Sequence, residues 1–125
     1  MSSILFTGPP HQILLAWSDG RFELVFTSDI HEEYRRAAAE LQQQFPRVDL
    51  MAALDLVLVN AHAFPSAVLE DRVCTDSDDD KFLACAVASG TGTIVSGDKH
   101  LLRVSGYRGI EVLRPRVFLE RYLAR

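Results

Sequence analysis

The chain has 125 residues, of which 48% are hydrophobic and 24% charged, with only 7 Gly and 5 Pro. That is the size of one domain and the composition of one that buries a core, which excludes disordered, collagen-like and low-complexity readings. The net charge of −4 is uneven: residues 101–125 carry 6 basic and 2 acidic residues (+4), leaving 7 basic against 15 acidic (−8) for residues 1–100.

In chain order, Pro9 and Pro10 open a predicted short helix with Ile13, Leu14 and Trp17 at helical spacing and Gly20 as its stop. Arg21–Thr27 reads as a strand whose nearly continuous apolar run suits burial on both faces. Ser28 or Asp29 then offers an N-cap oxygen, with Glu32 as capping-box partner of Asp29, for a helix reaching Gln44 before Pro46. Another apolar-rich helix is expected over Val48–Ala61 and a short strand over Ala67–Leu69.

The acidic run Cys74–Asp80 leads into a helix over Lys81–Ser89 that ends at Gly90. Thr93–Ser96 is a β-branched strand, followed by Gly97, Asp98 and a helical turn through Leu102. Ile110–Leu113 is the last strand, and Pro115 starts a closing helix carrying Val117, Phe118, Tyr122 and Leu123. Strands alternating with helices predict an α/β sandwich around a mainly parallel sheet, because parallel strands need crossover connections. The whole of residues 1–125 is expected to form one domain.

No apolar run approaches the roughly 18 residues of a membrane span, the longest lying around Leu56–Asn60. Met1–Pro10 lacks the charged and long apolar regions of a secretory leader. A cytoplasmic protein with no membrane partner is the expectation, and Cys74 and Cys85 read as reduced or buried thiols. His11, His31, His62 and His100 have no zinc-site spacing and are set aside as surface or packing residues.

The acids fall in three places. Glu32 and Glu33 lie one turn into the helix after the first clear strand, Asp76, Asp78, Asp79 and Asp80 open the helix after the second, and Asp98 follows the third. All three places lie beyond the carboxyl ends of strands, on the rim where open α/β sheets bind ligands. Aspartates at helix starts are also common as caps, and not all four of Asp76–Asp80 can face one site. Hard oxygen donors with no His or Cys nearby suit Mg²⁺ or Mn²⁺.

The segments Thr75-Asp76-Ser77-Asp78-Asp79-Asp80-Lys81-Phe82-Leu83-Ala84-Cys85-Ala86 and Thr93-Ile94-Val95-Ser96-Gly97-Asp98-Lys99-His100-Leu101-Leu102 resemble the latter half of a PIN domain, in the branch of bacterial toxin–antitoxin toxins. Gly8-Pro9-Pro10 through Phe22-Glu23-Leu24-Val25, and Thr27–Tyr34, are similar to that branch too. The resemblance implies a three-layer sandwich and a Mg²⁺- or Mn²⁺-dependent ribonuclease that cleaves RNA, is held by a cognate antitoxin and forms a homodimer. It implies Glu33, Asp79 and Asp98 as catalytic and metal-holding residues, with Asp76 as a further ligand, Asp78 as a close alternative, and Ser96 as the hydroxyl that orients a carboxylate or water.

The family begins with a strand ending in an aspartate, whereas Met1–Phe6 looks like the part that follows that strand and most of its helix. Three readings of the start stand side by side: a start codon placed too late, a naturally shortened relative, or a new structural job for Ile4–Phe6. A catalytically impaired module that binds an antitoxin or RNA is the alternative function, and an α/β domain whose acids merely cap helices is the third.

Overall fold

A computed structural model describes residues 2–7, 22–66, 68–69, 73–74 and 79–123. Its elements in chain order are β1 (Ser2–Phe6), β2 (Phe22–Thr27), α1 (Ser28–Gln42), α2 (Leu50–Val59), β3 (His62–Phe64), α3 (Asp80–Ser89), β4 (Thr93–Val95), α4 (Lys99–Leu102), a 3₁₀ turn (Tyr107–Gly109), β5 (Glu111–Leu113) and α5 (Pro115–Leu123). The five strands form one sheet in the order β3-β2-β1-β4-β5. Every pairing is parallel. The fold is the expected α/β arrangement of a parallel central sheet with helices.

The centre of the sheet is β1. It pairs with β2 through Ile4 opposite Leu24 and with β4 through Ile4 opposite Thr93 and Phe6 opposite Val95. Ser2–Phe6 therefore occupies the centre of the sheet, where the expectation had a first strand missing. Its residues suit the place: Ile4, Leu5 and Phe6 are all buried, as a strand covered on both faces requires.

Alternation along the strands sorts the core into two clusters. Leu5, Val25, Ile94 and Val112 join Ile30, Tyr34 and Ala38 of α1, Leu54 and Leu58 of α2, and Phe82 and Leu83 of α3. Ile4, Phe6, Leu24, Val95 and Leu113 point the other way and meet Phe22 and Phe118 of α5. The rings of Phe6, Phe22 and Phe118 lie with centroids 5.3 to 6.1 Å apart, two of the three pairs nearly edge-to-face.

Several local expectations are corrected. The cap of α1 is Thr27, whose hydroxyl accepts from the Ile30 N–H, so neither Ser28 nor Asp29 holds that place, and the helix ends at Gln42. The third strand lies at His62–Phe64, ahead of the expected Ala67–Leu69 and just beyond a helix that runs over Leu50–Val59 rather than Val48–Ala61, and Val68 and Leu69 are not in a strand. That strand sits on the sheet edge with only Phe64 half-buried, so it carries no run of apolar residues to announce it. Gly90 does end α3, in the left-handed conformation that a residue without Cβ adopts at little cost. The expected helix over Pro9–Gly20 lies outside the described residues.

Candidate active site

Because every strand is parallel, the carboxyl ends of all five share one rim. The chain passes from β1 to β2 on one side and returns to β4 on the other, so the switch point of the sheet lies between the ends of β1 and β4. Thr7 follows β1 there, and Ser96 and Asp98 follow β4.

The β4 side is built from short hydrogen bonds. The Ser96 N–H donates to the Leu113 carbonyl at 2.9 Å, which holds the turn against β5. The hydroxyl oxygen of Ser96, a residue 2% exposed, accepts from the Asp98 N–H at 2.9 Å and from the Thr7 hydroxyl at 2.8 Å. Asp98 in turn accepts the His100 N–H at 2.7 Å and so caps α4. The capping role and a place on the rim coincide in this one residue.

At the start of α3 two adjacent acids part company. Asp80 turns back on the loop: its two carboxylate oxygens accept the N–H groups of Val73 at 3.0 Å and Cys74 at 2.7 Å. Asp79 is buried, occupies the N-cap position and makes no capping hydrogen bond with its side chain. Asp76 and Asp78 lie outside the described residues.

The Cys74 thiol reports the field of this corner. Burial pushes it up to about 12, helped by its hydrogen bond to Asp80 and by the charges of Asp80, Asp79 and Asp98. Acids from the α3 start and from the turn after β4 thus act on one buried atom. Cys85, deeper in the core, is pushed up to about 11 by burial, and neither thiol is in a disulfide.

Glu33 reaches the same end of the sheet from α1, but its carboxylate is engaged. Its Oε2 lies 3.2 Å from the Lys81 Nζ, in a half-buried ion pair that ties α1 to α3. At the next residue, the Tyr34 hydroxyl donates to the Phe6 carbonyl at the end of β1. Burial first, then the neighbouring Cys85 and Glu33, raises the Tyr34 phenol well above its ordinary value, so it stays a donor.

Of the sequence-predicted residues, Ser96 and Asp98 are joined by a hydrogen bond in the turn after β4, Asp79 is buried at the start of α3, and Glu33 is paired with Lys81 of that same helix. Among the described residues, no group of three or more His, Cys, Asp or Glu side chains is gathered closely enough to hold a metal on its own. Thr7 and Lys81 are the participants that sequence reading misses. Lys81 stands in the DDDK run and could have been flagged as its counter-charge. Thr7 gives no signal until β1 is known to be the central strand.

Among solved structures, the fold is similar to the crystal structure of PAE2754 from Pyrobaculum aerophilum, with a TM-score of 0.67, 18% identity, and coverage of 100% of this chain and 91% of that one. At that identity the likeness speaks for the fold alone. No curated protein matches the sequence at a significant level. The sequence profile of the PIN domain matches residues 1–100, and with the parallel sheet and its acidic rim this makes the chain a member of the PIN-domain family.

Proposed function

We propose that the chain is a metal-dependent nuclease that cleaves RNA phosphodiester bonds, acting as the toxin of a toxin–antitoxin pair. Membership of the PIN family places it in a nuclease superfamily whose members generally depend on divalent metals. The observation that supports the finer reading is Asp98 in the turn after β4 at the switch point, held by the buried Ser96, with the buried Asp79 at the start of α3 adding its charge to that of Asp98 at Cys74.

The donors there are carboxylate oxygens, which suits Mg²⁺ or Mn²⁺, ions that take one or two carboxylates and keep several waters. Carboxylates alone suit a hydrated ion, which Asp79 and Asp98 would hold. Asp76 would be a further ligand, and Glu33 would join by leaving Lys81. A bound ion would supply an activated water and offset phosphate charge. Ser96 fixes the backbone of Asp98, and thereby the direction of its carboxylate. Arg114 follows β5 on the same rim, is exposed and makes no ion pair among the described residues, so it is placed to meet a phosphate.

A homodimer and an antitoxin partner belong to the same proposal. Leu56 and Val59, three residues apart on α2, are 68% and 80% exposed, and apolar surface of this kind marks partner sites. Among the described residues no helix is long and apolar enough to cross a membrane.

A second reading, an impaired module that binds RNA or antitoxin without cutting, is supported by two observations. The central strand ends at Phe6, neither it nor Thr7 after it supplies a carboxylate, and Glu33 is occupied by Lys81.

Incubating the protein with RNA and Mn²⁺ tests the choice. Cleavage is expected, lost in EDTA and reduced more than about a hundredfold in Asp79→Asn, beyond the loss typical of outer-shell partners. Undiminished cleavage by Asp79→Asn would move the chemistry elsewhere. RNA retention without cleavage would favour the second reading.

A further inference from the structure

At the switch point the end of β1 is joined to the turn after β4 by a chain of contacts in which only the Ser96–Asp98 link has been given a role so far. The Thr7 N–H donates to the Val95 carbonyl at 3.1 Å, which extends the β1–β4 ladder by one residue and sets Thr7 beside Ser96. The Thr7 hydroxyl donates to Ser96 Oγ at 2.8 Å, and the Asp98 N–H donates to the same oxygen at 2.9 Å. A hydroxyl oxygen has two acceptor positions, and both of those on Ser96 are taken. Ser96 is 2% exposed, so bulk water is not at hand to replace either partner.

We propose that Thr7 is a positioning residue for Asp98 and the central strand's contribution to the rim site. With its hydroxyl in place, the Ser96 oxygen is held in one orientation, and the Asp98 backbone that it grips is held with it. The Asp98 carboxylate, fixed on its other side by the His100 N–H at 2.7 Å, then faces the rim in a single setting. Without the Thr7 hydroxyl, one of the two contacts that hold Ser96 Oγ is lost and the Asp98 turn loosens. Thr7 touches neither ion nor substrate in this account; it acts through Ser96. The inference rests on the reading of the rim as a metal-holding site.

The test is a thermal-melting titration with Mn²⁺ alone, run on the unaltered protein and on Thr7→Val, Thr7→Ala, Thr7→Ser and Asp98→Asn. Mn²⁺ is expected to raise the melting temperature of the unaltered protein by mass action. Thr7→Val and Thr7→Ala should shift the Mn²⁺ midpoint about tenfold higher, the low end of what outer-shell partners of a metal ligand contribute. Thr7→Ser, which keeps the hydroxyl, should restore the midpoint. A purely structural Thr7 would lower the metal-free melting temperature and leave the midpoint where it was, and that result overturns the proposal. Thr7→Ala keeps the test open if the valine's extra methyl disturbs the strand end. Asp98→Asn separates the two levels: if it still shows the full Mn²⁺ shift, the rim reading itself fails, whereas loss in Asp98→Asn with unaltered midpoints in both hydroxyl-less variants removes Thr7 alone.

Discussion

The aromatic face around Phe118 and the carboxylate rim around Asp98 are both built on β1, through the adjacent residues Phe6 and Thr7, yet different forces hold them. Phe6 turns into a cluster with Phe22 and Phe118 where large apolar surfaces are removed from water. Thr7 turns to Ser96, where one hydrogen bond fixes geometry. The first kind of contact is worth several kcal/mol and tolerates small shifts, while the second is worth about 1 kcal/mol and matters for direction. The fold is therefore anchored on one face and the site is aimed at one edge. Substitutions on the two sides should separate stability from metal binding.

The largest effect is expected from Phe118→Ala. Phe118 is fully buried and meets both other rings nearly edge-on, so truncation should cost about 3 to 5 kcal/mol, read by urea denaturation. In conditions where the variant remains folded, its Mn²⁺ midpoint should stay close to that of the unaltered protein. A midpoint that moves with stability would show that the two regions are one cooperative device.

How far these regions are legible in the sequence follows from the same contrast. The strands at Phe22, Thr93 and Ile110 and the helices after Ser28, Lys81 and Pro115 announce themselves by local periodicity, because burial imposes a pattern on neighbouring residues. The central strand does not. Ser2–Phe6 holds two serines and three apolar residues, and its place is decided by partners far along the chain, Leu24 on one side and Thr93 on the other. The edge strand His62–Phe64 is hidden for the opposite reason, since its exposure leaves it no apolar signature and the more apolar Ala67–Leu69 draws the expectation instead.

At the rim, sequence places the acids near one another but cannot say which way each turns. Asp79 and Asp80 are chemically the same, and only the positions of the Val73 and Cys74 N–H groups show that Asp80 is used by the loop.

That division can be tested next. Asp80→Ala leaves two backbone donors without their charged acceptor and should cost about 2 to 3 kcal/mol, since a hydrogen bond to a charged group contributes about 1.5 to 3 kcal/mol. Asp80→Asn keeps one acceptor oxygen and should lose less. Hydrogen exchange at Val73 and Cys74 should quicken in both. If Asp80→Ala leaves stability intact but abolishes the Mn²⁺ shift, Asp80 belongs with the metal-facing acids and the contrast between its role and that of Asp98 breaks down.

The smallest effect on stability concerns Asp98, where a structural and a functional role meet in one side chain. Its Oδ1 caps α4 through the His100 N–H, a contact worth about 1 kcal/mol at a helix start. Asparagine caps as well as aspartate does but carries no charge, whereas alanine provides neither. In metal-free buffer Asp98→Asn should therefore melt with the unaltered protein or slightly above it, because one of the acids facing the Cys74 corner has been neutralised. Asp98→Ala should lose about 1 kcal/mol. On addition of Mn²⁺ the unaltered protein should rise in melting temperature and neither variant should follow. Were Asp98→Asn to fall as far as Asp98→Ala in metal-free buffer, the charge would be part of the fold, and the acid would have to be read as a structural group that happens to stand on the rim.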